Sequence, residues 1–167
     1  MITRFEKLLL AAATLLTGLT GLLFAWLKYF VKGSDPYSVV NHPYQPALLS
    51  AHVLAAPALL FAFGLVARDH IVGKYRDPRA RRGRRSGILA TWVLLPMVFS
   101  GYALQVLTSP DSRRFAGALH LAAGILFLVL YAAHVLLASR PSPGEGSVRG
   151  QPPARPGRRL KRRKDAL

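Results

Sequence analysis

Four stretches of the chain are almost wholly apolar, at roughly residues 8–27, 47–67, 87–107 and 115–139, and none contains an Asp, Glu, Lys or Arg. Each is close to the ~20 residues an α-helix needs to cross a ~30 Å hydrocarbon layer. Lipid forces every backbone group to be satisfied internally, so helices are the way to thread four such runs. The expected fold is all-α, a four-helix transmembrane bundle in up-down-up-down order over residues 1–139. The first run follows Arg4 and Lys7 as a secretion signal would. It is longer than the usual apolar core and lacks a small-residue cleavage site, which identifies it as the first span. Pro57 and Pro96 fall inside spans two and three, where membrane helices tolerate them.

Charge sharpens this picture. The chain is 51% hydrophobic yet carries a formal net charge of +16, so the two properties occupy different segments. Eight Lys or Arg lie in 68–85 and nine in the tail 140–167, while the connections around 28–46 and 108–114 are nearly neutral. Basic residues near span ends stay cytoplasmic. Both termini and the basic loop 71–85 are therefore expected inside and the other two connections outside, in a bacterial inner membrane. The loop and tail are rich in Arg, Pro and Gly and are expected to remain unfolded. Their charges suit anionic lipid head groups, and without interleaved aromatics they offer no specific nucleic-acid surface.

Histidine placement adds the candidate chemistry. His42 falls in an outer loop, NHPYQP, whereas His52 and His70 are on span two and His120 and His134 on span four. Fourteen residues of helix turn ~1400°, within ~40° of four revolutions, and rise ~21 Å, so His120 and His134 share a face. Eighteen residues make five revolutions and ~27 Å, so His52 and His70 share one too. Spans two and four run in the same direction. His52 then lies at the depth of His120 near the outer surface, and His70 at the depth of His134 near the inner one. Two histidines facing each other from neighbouring helices are what a haem iron with two axial imidazoles requires.

Small residues, Gly124 and Ala56, stand one turn from His120 and His52, where a bulky side chain would collide with a flat macrocycle. Gly18, Gly21 and Gly101 could similarly let backbone approach a ring edge. Arg113 and Arg114 outside, and Arg68 and Lys74 inside, could pair with propionates. Ser50, Thr91 and Ser100 are candidates for bonding a ligand's second ring nitrogen. The chain has no cysteine, which excludes disulfides, thiolate-held iron–sulfur clusters and thioether-linked haem.

On these residues the sequence resembles the small bacterial di-haem cytochrome b subunits of formate dehydrogenase and nickel–iron hydrogenase. The match rests on four spans, on H-x3-G-x9-H in the fourth (His120, Gly124, His134) and on His52 early in the second. The resemblance implies two haem b groups and electron transfer between a quinone and an outer-side dehydrogenase or multihaem cytochrome. It departs from the formate dehydrogenase type in span one, which has no histidine, so His70 has to complete an inner site; without it a single haem remains. Two other readings compete. A cofactor-free scaffold or assembly factor needs nothing beyond the bundle. A metal transporter would ordinarily keep charged groups within the spans.

Overall fold

The structure is a computed structural model that describes residues 3–33, 37–38, 40–67, 73 and 84–139. It is all-helical: α1 Arg4–Tyr29, α2 Gln45–Val66, α3 Arg84–Val106 and α4 Pro110–Ser139. All four are long and apolar enough to cross a membrane, as in a multi-pass membrane protein. The basic loop 71–85, apart from its last two residues and Gly73, and the tail 140–167 lie outside the described residues, as does His70.

The helix starts follow local chemistry. Thr3 caps α1 through a reciprocal pair of bonds, its hydroxyl accepting from the Glu6 amide at 3.1 Å while its own amide donates to the Glu6 carboxylate at 2.7 Å. Pro46 lies in the first turn of α2, where a missing amide hydrogen costs nothing. The fourth helix begins at Pro110, earlier than the apolar pattern predicts. A proline at the first position followed by Asp111 in the first turn is a favourable helix start, so Asp111, Arg113 and Arg114 belong to α4. The Arg113 guanidinium donates to the carbonyls of Leu104 and Leu107 at 2.9 Å each, closing the end of α3. Asn41 does the same for α1, donating to Lys28 O at 2.8 Å.

Helix α1 packs along α2 and α3 along α4, giving two antiparallel hairpins, and contact between the hairpins is sparser, chiefly α1 with α4. There Gly18 lets Leu128 lie against the α1 backbone; a Cβ on Gly18 would stand 2.8 Å from Leu128 Cδ2. All four helices contribute to one buried cluster of Ala13, Leu59, Ala62, Ala90, Leu94 and Phe127. His52 stands beside His120, and seven residues further along each helix Leu59 and Phe127 share that cluster. Helices α2 and α4 therefore run in the same direction.

The exterior is greasier than the interior. Large apolar side chains such as Leu15, Leu54, Phe61, Phe99 and Leu136 are exposed, while the buried positions are largely Ala, Thr and Ser. Apolar surface in lipid carries no penalty, and small residues allow close helix approach.

Candidate functional site

Two imidazoles meet at one end of the joint between the hairpins. The ring centres of His52 and His120 are 5.9 Å apart with planes at 79°. Each ring is seated on the other helix of its own hairpin, and the two seats are alike. His52 Nδ1 lies 2.9 Å from Thr17 O and 3.5 Å from the Thr20 hydroxyl, with Gly21 against the ring. His120 Nδ1 lies 2.8 Å from Met97 O and 3.4 Å from the Ser100 hydroxyl, with Gly101 against the ring. Both hydroxyls donate back into their own helix, Thr20 to Leu16 O at 2.7 Å and Ser100 to Pro96 O at 2.6 Å.

A carbonyl only accepts, so Nδ1 of each ring carries the proton and donates. The lone pair is then on Nε2, the atom that can bind a metal. The glycines make the seats feasible: a Cβ on Gly21 would stand 2.7 Å from His52 Cε1, and one on Gly101 would stand 2.9 Å from His120 Cε1. The rings that these two glycines admit are the imidazoles themselves.

His134 has a related seat at the other end of α3. Its Nδ1 is 3.2 Å from the Ser86 hydroxyl, and a Cβ on Gly87 would stand 3.2 Å from its Cε1. Ser86-Gly87 and Ser100-Gly101 are fourteen residues apart, as are His120 and His134, so an antiparallel neighbour meets both histidines in register. Between the two depths Phe127, 2% exposed, fills the centre and stacks on Tyr131.

The other expected residues fall as follows. Ala56 is half-buried one turn from His52. A Cβ on Gly124 would meet Met97 Sδ at 3.9 Å, an ordinary contact. Arg113 is engaged with the end of α3, and Arg114, which is exposed, pairs with Asp111 at 3.8 Å. Of the three hydroxyl candidates, Ser100 reaches a histidine, Thr91 donates to Gly87 O in its own helix at 2.9 Å, and Ser50 is exposed. His42 belongs to the turn before α2, its Nδ1 accepting from the Tyr44 amide at 3.2 Å. Arg68, His70 and Lys74 lie outside the described residues. Sequence reasoning missed Thr17, Thr20, Met97 and Ser86; the visible signal was the Ser-Gly pair repeated at the histidine spacing.

A metal shared by two imidazole nitrogens at ~2 Å each places the ring centres ~6 Å apart, close to the observed separation. Among the described residues no three His, Asp or Glu side chains converge, so a tetrahedral protein-ligated ion is not assembled there. Two axial nitrogens are the donor set of a bis-imidazole haem, and the His52–His120 pair fits that group. Fold and site thus define a class: an all-helical bundle of four membrane-length helices presenting a seated pair of imidazoles. Compared with protein-family models, curated proteins and solved structures, the chain matches none.

Proposed function

We propose that the protein is a b-type cytochrome of a bacterial inner membrane that relays electrons across the bilayer between a quinone and a redox partner on the outer side. The observation that carries this reading is the meeting of His52 and His120, each with its proton held on Nδ1 by a main-chain carbonyl. Iron in a bis-imidazole haem exchanges single electrons between its ferrous and ferric states.

The chain's own task is to hold the two rings at a fixed separation and orientation. The bonds from Nδ1 to Thr17 O and Met97 O fix the tautomer and raise ligand basicity. His134, seated on Ser86-Gly87, supports a second haem at the inner depth, with His70 as its partner. Both termini and the basic loop face the cytoplasm, where their charges attract anionic lipid. The outer-side partner is a dehydrogenase module or a multihaem cytochrome, since this chain has no cysteine and little outer mass. In such a complex it is an electron-transfer subunit.

Haem content and the reduced-minus-oxidised optical spectrum of the purified protein test the reading. Two b-type haems per chain are expected, with His120→Ala or His52→Ala removing one and His134→Ala the other. Purified protein with no haem, and no spectral response on adding haem, would overturn it.

A further inference from the structure

We propose that Thr20 and Ser100 are positioning residues that act through the imidazoles: each hydroxyl oxygen is a second acceptor for one ligand's Nδ1 proton, and so sets how strongly that ligand favours ferric iron. The inference rests on the electron-relay reading of the His52–His120 pair and names what tunes it. Thr20 Oγ1 lies 2.7 Å from Leu16 O and 3.1 Å from Thr17 O, and Ser100 Oγ lies 2.6 Å from Pro96 O and 3.0 Å from Met97 O. A hydroxyl has one proton to give. The shorter distance takes it, so the protons go to Leu16 O and Pro96 O. Each oxygen is left as an acceptor, and a better one for the bond its own proton makes.

Those oxygens face the imidazole protons. Nδ1 of His52 is 3.5 Å from Thr20 Oγ1 and Nδ1 of His120 is 3.4 Å from Ser100 Oγ, against 2.9 and 2.8 Å from the two main-chain carbonyls. Each proton therefore has a near oxygen that holds it and a far one that adds electrostatic attraction at the limit of hydrogen-bond length. Donation by Ser or Thr into its own helix is ordinary, and Thr91 does the same to Gly87 O. Repeating the whole arrangement under both rings of one pair is not ordinary. Every one of its four distances is 0.1 Å shorter in the second hairpin than in the first. Both hydroxyl residues are buried, where low dielectric strengthens such a contact. A second acceptor beside the ring proton makes Nε2 a stronger donor to iron, which favours the more highly charged ferric state. Both rings serve one iron, so the two hydroxyls pull in the same direction.

The test uses the full chain in lipid nanodiscs, with and without haem, and the variants Thr20→Val and Ser100→Ala, which remove a hydroxyl with little change of shape. Without haem, the NMR signals of the Nδ1-bound protons are read. Thr20→Val is expected to move that of His52 upfield, as weaker hydrogen bonding does, and to leave His120 in place; Ser100→Ala does the reverse, and Thr91→Val moves neither. With haem, a spectroelectrochemical titration is expected to show the ferrous-to-ferric ratio raised roughly threefold in each single variant, ~30 mV at 59 mV per tenfold for one electron, and about twice that shift in the double variant. Thr20→Ser and Ser100→Thr, which keep a hydroxyl, hold the parent signals and midpoint. Signals that stay or move downfield, a midpoint that stays or falls, or equal shifts in the hydroxyl-keeping variants would each overturn the proposal. A chain that takes no haem loses the relay reading, and the proton signals alone then decide whether the hydroxyls hold the rings.

Discussion

Replacing Gly21 with alanine tests the imidazole seat through a single methyl group. The new Cβ would stand 2.7 Å from His52 Cε1 and 2.9 Å from Nδ1. Ordinary contact begins near 3.4 Å, so the ring has to retreat by about 0.7 Å. The bond from Nδ1 to Thr17 O, now 2.9 Å, then stretches to about 3.6 Å, beyond a useful hydrogen bond. Leaving the Nδ1 donor unpaired in a largely apolar interior costs ~1–3 kcal/mol, and the proton is no longer confined to Nδ1. Loss of such a supporting bond lowers metal affinity ~10–100-fold. The assay is optical titration of haem into protein purified without it, with Gly64→Ala as the control. A Cβ on Gly64 meets nothing within 4 Å, so that variant gains helix propensity without touching a ring. If Gly21→Ala bound haem with the affinity and spectrum of Gly64→Ala, the seat would have no part in holding His52 and the reasoning would fail.

Three further substitutions probe the same packing. Gly101→Ala should weaken haem binding in the same way, through the 2.9 Å approach to His120 Cε1, and combining it with Gly21→Ala should cost less than the sum because both act on one shared ligand; titration of the double variant checks this. Arg113→Ala removes two bonds that close α3 and should lower the thermal midpoint by ~1 kcal/mol equivalent, measured by circular dichroism in detergent, with haem affinity unchanged. Phe127→Ala empties the centre of the bundle and should cost less than the ~3–5 kcal/mol seen in water-soluble cores, because in lipid only packing is lost and no transfer from water is involved; equilibrium unfolding in mixed micelles reads the difference.

The four helices were legible because a membrane span is written in side chains: a run of ~20 apolar residues without charge has few alternative fates. The start of α4 was not, since Asp111, Arg113 and Arg114 read as loop charge although Pro110 and Asp111 make a favourable first turn. The histidine faces came from spacing alone, and the meeting of His52 with His120 follows from them. What holds those rings was only partly visible. The acceptors for Nδ1 are the carbonyls of Thr17 and Met97, and a main-chain acceptor has no residue signature. Ser100 was in view as a candidate, yet its hydroxyl lies farther from Nδ1 than the Met97 carbonyl does. Gly124, expected beside a macrocycle, faces Met97, because a residue one turn from a ligand can point at a neighbouring helix as easily as at the ligand.

Each hairpin is built as half of a site. His52 and its seat belong to α1 and α2, and His120 and its seat to α3 and α4, so ligand orientation is set within a hairpin while the rings meet across the sparser joint between hairpins. With Nδ1 protonated on both, both rings present Nε2 as an acceptor, and two acceptors cannot hydrogen-bond each other. Under the cytochrome reading, a haem iron held by both rings would also tie the two hairpins together.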